Sequence, residues 1–180
     1  MKNIQIRLRD VDDADMNKKI ACVILLIASA LAVAFPGFGC AAAPAADPQA
    51  DYPAEKAQIE RRLQEVIAAC TAKDFDRLES YHLYGPKFSK FSGSSPERLD
   101  ADACRKGERD GLGAIQGLQM RADALKIDVF GTVAVATFIL DDSFDAAGKT
   151  THARERSTMV FVKQGGAWRI AHEHLSPIKP

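Results

Sequence analysis

The chain has 180 residues, of which 47% are hydrophobic, and its 24 basic side chains are balanced by 24 acidic ones. This composition is sufficient for a packed globular core and is unlike that of disordered chains. There is no basic excess, so nucleic acid is not expected as a partner.

Residues 1–45 are interpreted as a targeting segment. Lys18 and Lys19 precede an apolar run at 20–35, and small residues follow it. This order is typical of a secretory signal peptide that is removed after export; the alternative is a membrane anchor that stays. The MNKK run at Met16 predicts that translation begins there, which would make residues 1–15 a non-native extension.

Two processing sites are possible in this segment. The run Ala43-Pro44-Ala45 has the A-x-A pattern of a cleavage site, and it predicts a soluble mature chain that begins near Ala46. Alternatively, Cys40 is the lipidated first residue. We favour the first reading, so the protein is expected to be periplasmic or secreted, with no membrane attachment unless Cys40 carries lipid.

The mature chain retains two cysteines, Cys70 and Cys104. An oxidising compartment permits a disulfide between them. Free cysteine is also among the most buried residue types, so two separately buried thiols are the alternative. The sequence leaves both alternatives open.

The first half of the mature chain predicts helices. Residues 46–54 are a polar linker, after which apolar residues recur at helical spacing from Ile59 to Cys70 and predict an amphipathic helix that ends near Lys73. Asp74 is a predicted N-cap for a second, short helix. That helix should end at Gly85-Pro86.

The middle of the chain is less regular. The run KFSKFSG at 87–93 predicts a short strand, and residues 97–119 predict a helix with Ile115 and Leu118 on its apolar face. Glycines between 107 and 117 disfavour a helix there, because glycine in a helix interior costs up to ~1 kcal/mol relative to alanine.

The second half of the chain predicts four strands. Residues 125–131 alternate, 132–140 are apolar throughout and should be covered on both faces, and 141–150 form a polar loop. Two further strands are predicted at 151–163 and 167–177. Helices followed by meandering strands predict an α+β fold with an antiparallel sheet. A helix laid across a curved sheet leaves a cone whose open mouth can hold a ligand.

Three motifs in these strands resemble a known family. They are GTVAVATF at 131–138, R-x-T-x-V at 156–160 and G-x-W-R-I-x-H-E-H-x-S-P at 166–177. They are similar to the SnoaL-like group of the NTF2-like superfamily, which also includes ketosteroid isomerases and the association domain of calcium/calmodulin-dependent kinase II. The resemblance covers about residues 55–178. It implies an NTF2-like cone (a cystatin-like α+β barrel) with N-terminal helices on a curved antiparallel sheet, an internal pocket and usually a dimer.

The faces of the final strand depend on the turn that precedes it. A two-residue turn at Gly165-Gly166 would place His174 opposite Ser157, whereas a three-residue turn that includes Gln164 would place it opposite Arg156. Strict alternation puts Glu173 and Leu175 on one face. The other face then carries Trp168, Ile170, His172, His174 and Ser176.

The resemblance suggests which face points inward. Pocket arginines of the kinase association domain occupy positions matched here by Met159 and Leu175, which implies that Met159, Glu173 and Leu175 face the cone interior. Without those arginines, the pocket is expected to bind a small, mostly apolar molecule rather than a carboxylate. The expected ligand-binding residues are Tyr84, Phe138, Met159, Phe161 and Leu175.

The histidine face is then the outer face, which is often the dimer contact in this fold. The expected homodimer would use Arg156, Thr158, His172, His174 and Ser176. His172 and His174 could also chelate a metal, but a site needs further ligands and His152 and Glu155 fit poorly. No metal or other cofactor is expected.

A fold of this kind hosts enzymes, binders and assembly modules. The leading hypothesis is an exported binder of a small molecule. The second is an isomerase or lyase in which Glu173 is the base, with a pKa raised by its apolar surroundings, and Tyr81 is the donor to the oxyanion. The third is a structural dimerisation or assembly module.

Overall fold

The computed structural model describes residues 47, 49–93 and 95–179. The predicted signal peptide, the start at Met16, the cleavage site and the lipidation of Cys40 lie outside the described residues. Within the described part, no helix combines the length and the apolar character that crossing a membrane requires.

The described residues form three helices and five strands. The helices are α1 (Pro53–Ala72), α2 (Phe75–Ser80) and α3 (Ala101–Ala114). The strands are β1 (Ser89–Phe91), β2 (Gln116–Phe130), β3 (Val133–Ala146), β4 (Lys149–Gln164) and β5 (Ala167–Pro177). This order confirms the α+β prediction.

The first helix and the cap of the second follow the prediction, whereas α2 ends at Ser80 and not at the predicted Gly85-Pro86. Pro53 occupies the first turn of α1, where its missing N–H is not needed. The helix ends because Lys73 takes a left-handed conformation with φ of 56°. Asp74 then caps α2 by accepting a 3.1 Å hydrogen bond from the backbone N–H of Arg77, so the predicted cap is confirmed.

The third helix is shorter than predicted. Asp100 caps its start by accepting from the backbone N–H of Ala103 at 2.9 Å, but α3 ends at Ala114 and Leu118 is a buried residue of β2. Lys73 Nζ donates to the carbonyl of Ile115 at 2.6 Å. The helix ends early because its glycines give this segment a weak helical propensity, and from Gln116 onward the chain pairs with β3 instead.

The sheet has the order β1-β5-β4-β3-β2. Neighbours are antiparallel except that β1 runs parallel to β5. The predicted loop at 141–150 is wrong, because Asp141–Ala146 continue β3 and pair with β4. The chain reverses only at Ala147 and Gly148, which both have positive φ. The polar side chains suggested a loop, but strands joined by a two-residue hairpin turn stay paired up to the turn even where their side chains are exposed to solvent.

The apolar strand β3 is covered on one face only. Ala134, Ala136 and Phe138 are buried against the helices, whereas Val133 and Thr137 on the other face are exposed. Within one chain, therefore, only one of the two faces is covered, and the predicted cover of the second face stays a prediction. The helices pack on one side of the sheet, and nothing in the described part of the chain packs on the other.

A bulge in β5 changes its register. The turn has two residues, Gly165 and Gly166, and pairing proceeds regularly to Phe161 opposite Ile170. The next pair is Val160 with His172, so Ala171 is an extra residue. His174 consequently lies opposite Thr158, and both predicted partners of His174 are wrong.

The bulge also changes which residues share a face. Trp168 and Ile170 are buried under the helices, and after the bulge Glu173 is buried on that same side. The prediction that Trp168 and Ile170 share a face with the histidines is wrong, because the extra residue interrupts the alternation. The core lies between this concave face and α1, and its fully buried side chains include Ile59, Leu78, Cys104, Phe161 and Ile170.

Replacement of glycine by alanine is expected to have opposite effects on stability at two positions. A Cβ added at Gly93 would lie 2.6 Å from Cδ of Pro177, so Gly93→Ala should lower the free energy of unfolding by about 1–3 kcal/mol. Gly111 lies within α3 with nothing within 4 Å of the added atom, so Gly111→Ala should raise the free energy by about 0.4–1 kcal/mol. Chemical denaturation measures both. Equal effects of the same sign would contradict the close approach at Gly93.

Candidate functional site

The site is organised around a buried carboxylate, Glu173, which is 3% exposed. The parallel pairing of β1 with β5 places Lys90 directly beside it, and Lys90 Nζ lies 2.6 Å from Glu173 Oε2. His82 Nε2 lies 2.7 Å from the other oxygen, Oε1. Glu173 therefore contacts two basic side chains from two different elements.

The end of α2 holds His82 in this position. Reciprocal backbone hydrogen bonds join Tyr81 and Leu83 to Ile170 at 2.9 and 2.7 Å, which fixes this segment beside β5. His82 Nδ1 donates to the carbonyl of Leu78 at 2.9 Å. Because both ring nitrogens face oxygen acceptors, both carry protons and the ring is an imidazolium. Burial opposes this charge, but the bond to Glu173 outweighs burial and raises the pKa of His82.

The predicted pKa shift of Glu173 is wrong in direction. Burial alone would raise the pKa of this carboxyl, as predicted. The Lys90 ammonium and the His82 hydrogen bond outweigh burial and hold the pKa well below its ordinary range. A carboxylate of such low proton affinity is a weak base, so this environment disfavours Glu173 as a general base.

A second carboxylate, Glu108 on α3, completes the cluster. Lys90 Nζ lies 3.1 Å from Glu108 Oε1, and the hydroxyl of Tyr84 donates to Glu108 Oε2 at 3.1 Å. The thiol of Cys104 donates to Oε1 at 3.4 Å. The buried charge cluster (His82, Lys90, Glu108 and Glu173) thus has two cations and two anions and is formally neutral.

An internal cavity of about 80 Å³ lies against this cluster. All four cluster residues line it, and the other lining residues are almost all apolar: Leu63, Val66, Ile67, Cys70, Leu78, Met120, Phe138, Leu140, Met159 and Leu175. A cleft of about 260 Å³ adjoins it on the α3 side. The cavity and the cleft share Cys70, Lys90, Glu108 and Met120.

The structure brings together some of the predicted ligand-binding residues. Phe138, Met159 and Leu175 line the cavity with Glu173. Phe161 is fully buried in the core and lies outside the lining. Tyr84 also lies outside it and stacks on His82 at a ring separation of 4.7 Å.

Tyr81, the predicted oxyanion donor, is engaged elsewhere. Its hydroxyl accepts a 2.6 Å hydrogen bond from Nε of Arg77, and the Arg62 guanidinium lies 4.4 Å from its ring centroid. Tyr81 is not among the residues that line the cavity. The cavity therefore does not bring Tyr81 and Glu173 together.

The predicted outer-face residues lie opposite the cavity. Arg156 pairs with Ser176 and Thr158 pairs with His174, one position removed from the inward-facing Met159 and Glu173. His172 Nδ1 lies 2.9 Å from the hydroxyl oxygen of Ser89. All five are on the helix-free face of the sheet, but their role in an interface stays a prediction.

Cys70 and Cys104 are free, buried thiols. Burial raises the pKa of each to about 12, so neither is an activated thiolate. Both line the cleft beside the cavity. This arrangement matches the alternative of two buried thiols.

Three cluster residues also have the composition of a metal site. Ligand atoms of His82, Glu108 and Glu173 lie within 4.8 Å of one another. The Lys90 ammonium, however, bonds both carboxylates, and the facing nitrogen of His82 carries a proton. The ammonium supplies the positive charge that a metal would bring, so these residues fit an ion-pair cluster better than a metal centre.

Two other carboxyls have the raised pKa that was expected of Glu173. Asp142 and Glu155 lie on the inner face of β3 and β4, beyond the cavity lining. Burial is the main cause that raises the pKa of both, and the charge of Asp142 raises that of Glu155 further.

Sequence reasoning missed His82, Lys90 and Glu108. One signal was available, because alternation in KFSKF places Lys90 on the same side of the strand as Phe88 and opposite Ser89 and Phe91. Its partners gave no signal. They lie just after α2, on α3 and on β5, and nothing in the sequence indicates which of these elements β1 contacts.

Comparisons with known proteins match the chain to one fold family. A family model described as the SnoaL-like domain matches residues 59–180. An NTF2-like superfamily protein from Salmonella enterica aligns with a TM-score of 0.65 and 20% identity, covering 71% of this chain and 94% of that one. The calcium/calmodulin-dependent kinase II hub homology domain of Chlamydomonas reinhardtii aligns at 0.58 and 17%, covering 69% and 99%.

A cystatin-like protein from Caulobacter vibrioides is also similar, with a TM-score of 0.59 and 18% identity over 69% of this chain and 90% of that one. Comparison with curated proteins gave no match. At these identities the solved structures are informative about the fold alone.

The buried charge cluster predicts a pH dependence of stability. The raised pKa of His82 means that its contribution is fully present below the ordinary value of about 6.5 and is lost as the pH rises through the folded-state pKa. The free energy of unfolding should therefore fall by the order of 1 kcal/mol between about pH 6 and about pH 8, below the range where thiols ionise. Chemical denaturation at a series of pH values measures this loss.

The matched variants are His82→Gln and His152→Gln. His152 is exposed near the far end of β4, so its replacement should leave the pH profile unchanged, whereas His82→Gln should flatten it. Parallel profiles of the wild type and His82→Gln would show that His82 is not the group that titrates.

Proposed function

The chain belongs to the SnoaL-like domain family, and on that premise we propose that it is an exported domain that binds a small, mostly apolar molecule in its internal cavity. The observation that carries the proposal is the apolar cavity that ends at the buried charge cluster. Export is supported by the basic, apolar and small-residue order of the first 45 residues.

The dimensions favour a ligand that enters through the cleft. A cavity of about 80 Å³ is smaller than the roughly 300 Å³ at which small-molecule sites usually begin. The adjoining cleft adds about 260 Å³. A ligand that occupies both spaces would pass Met120, whose flexible side chain lines each of them and adapts readily to new shapes.

The polar end of the cavity favours a neutral ligand with an oxygen acceptor. Lys90 has three N–H donors, of which two are used by Glu108 and Glu173. The third has no acceptor among residues 47–179 as described. A neutral carbonyl or hydroxyl oxygen would use that donor and keep the charge balance, whereas a carboxylate would add an unbalanced charge to a buried site.

Binding is favoured over an isomerase or lyase that uses Glu173. That hypothesis needs a carboxyl of raised pKa next to a tyrosine donor. The pKa of Glu173 is lowered, and Tyr81 bonds Arg77 away from the cavity.

A pair of valine substitutions tests the cavity. Val66 lines it and Val129 is equally buried elsewhere in the core. Val66→Ile adds one methylene to the cavity and should weaken the binding of cyclopentanone about fourfold, with stability unchanged or raised by up to ~0.8 kcal/mol. Val129→Ile should leave binding unchanged and lower stability by about 1–3 kcal/mol. NMR of ¹³C-labelled methionine methyl groups reports binding at Met120 and Met159.

Three probes of similar size test separately whether the cavity binds a ligand and whether it prefers a neutral one. Cyclopentanone should bind more tightly than cyclopentane, and cyclopentanecarboxylate should bind most weakly. Absence of binding by all three would remove the pocket proposal. Tightest binding by the carboxylate would remove the neutral-ligand part.

The helix-free face of the sheet supports homodimerisation as a second role. Val133 and Phe130 are 37% and 46% exposed there, which is unusual for large apolar residues. Val135 and Val160 pair directly between them and the histidines. A second copy of this face would cover these side chains, in line with the association-domain-like structures that the chain resembles.

Sedimentation velocity tests the dimer. The wild type should sediment as a dimer, and Val135→Lys should sediment as a monomer because a buried, unpaired ammonium is costly. Thr150→Lys, at an exposed position near the far end of β4, is the matched control and should remain dimeric. A monomeric wild type would refute this second role.

A further inference from the structure

The carboxylate of Glu108 lies where the internal cavity meets the cleft on the α3 side. Glu108 lines both spaces, whereas Glu173 lines the cavity alone. The side chain of Glu108 is 14% exposed, against 4% for that of Glu173. A ligand that enters through the cleft therefore meets the carboxylate of Glu108 before that of Glu173.

The two carboxylates of the buried charge cluster differ in their neighbours. Glu173 contacts two cations, because Lys90 Nζ lies 2.6 Å from one oxygen and His82 Nε2 lies 2.7 Å from the other. Glu108 contacts only the Lys90 ammonium, at 3.1 Å, and its other donors are an uncharged phenol and an uncharged thiol. Without Glu108, the cluster would have two cations against one anion and would be formally positive.

Glu108 opposes an anionic ligand in two ways. Its carboxylate accepts from the Lys90 ammonium and so occupies a donor that an anion would otherwise use. Its negative charge also repels an anion in a part of the protein where solvent screens charges poorly. A neutral oxygen acceptor is not repelled in this way, and it needs only the remaining N–H of Lys90.

We propose that Glu108 is the specificity-determining residue of the cavity, which excludes carboxylates and leaves the Lys90 ammonium available to neutral oxygen acceptors. The assignment rests on the proposed binding function and adds to it the residue that selects the ligand class. Glu173 does not have this role, because cations bond both of its oxygens and it does not line the cleft. Loss of the Glu108 charge should therefore make the cavity accept carboxylates.

Glu108→Gln tests the role of the charge. Glutamine keeps the size of the side chain and an oxygen that accepts from Lys90. In this variant cyclopentanecarboxylate should bind at least about tenfold more tightly than in the wild type, because its charge now balances the cluster. Binding of cyclopentanone should change by less than about threefold, because this ligand carries no charge. NMR of ¹³C-labelled methyl groups of Met120 and Met159 measures both affinities.

The titrations are done at about pH 6, because Glu108 also acts on His82. The negative charge of Glu108 contributes to the raised pKa of His82, so its removal favours loss of the imidazolium proton at higher pH. Such a loss would restore neutrality without a ligand. Below the ordinary imidazole value of about 6.5, His82 stays charged while a carboxylic acid ligand is ionised.

Asp110→Asn is the matched control. It removes one negative charge from the same helix, at a side chain that is 64% exposed and lines neither the cavity nor the cleft. Because solvent screens an exposed charge, this variant should bind each probe within about twofold of the wild type. An equal gain of carboxylate binding in both variants would overturn the assignment, since the overall charge of the protein would then be the cause.

Two further substitutions of Glu108 separate its charge from its hydrogen bonds and from folding. Glu108→Leu removes the charge and the acceptor together, so it should gain at least as much carboxylate binding as Glu108→Gln. Glu108→Asp keeps the charge and should still prefer cyclopentanone. A preference of Glu108→Asp for the carboxylate would overturn the proposal even if the two uncharged variants fail to fold.

The wild type and Glu108→Gln together distinguish this role from the binding function itself. If the wild type binds none of the probes but Glu108→Gln binds the carboxylate, the neutral-ligand function fails and the role of Glu108 is supported. If the wild type binds cyclopentanone and folded Glu108→Gln gains no carboxylate binding, the binding function stands and the role of Glu108 is overturned.

Discussion

A buried carboxylate needs compensating charge, and this requirement at Glu173 organises the domain. Ionised Glu173 is held by Lys90 from β1 and by His82 from the end of α2, and Lys90 in turn holds Glu108 on α3. Four elements thus meet at one neutral cluster. Buried ion pairs contribute little net stability compared with apolar packing, but removing one partner leaves an uncompensated charge. The cluster therefore acts mainly to specify how β1, β5 and the helices come together.

The same cluster decides what the cavity can do. Its carboxylates are bound by cations, and its imidazole donates from both nitrogens, so its groups are poorly suited to proton transfer. What remains available is one N–H of Lys90 at the end of an apolar space. This combination fits recognition of an uncharged oxygen better than acid–base chemistry. The carboxyls with raised pKa, Asp142 and Glu155, lie outside the cavity lining.

The domain has two chemically different surfaces on the two faces of one sheet. The concave face and α1 enclose the apolar cavity, and the helix-free face exposes β-branched and aromatic side chains. Because these surfaces share few residues, ligand binding inside the cone and association through the sheet are compatible.

The sequence alone was sufficient to predict those elements that depend on residues close together in the chain. Helical spacing determined α1, Asp74 determined the start of α2, and Gly165-Gly166 determined a tight turn before β5. The motifs at 131–138, 156–160 and 166–177 were enough to indicate the family. The fold class followed from the order of the elements. Each of these features depends on residues close together in the chain.

Tertiary structure alone decided the site. The bulge at Ala171 carries no signature residue, yet it turns Glu173 inward and leaves His172 and His174 outside. His82, Lys90 and Glu108 are distant from Glu173 in sequence and meet it only because β1 pairs parallel to β5 and α3 packs beside them. The pKa of Glu173 then depends on those neighbours rather than on burial alone. A pattern of alternation predicts faces only while pairing is regular, and electrostatic partners across elements are set by packing.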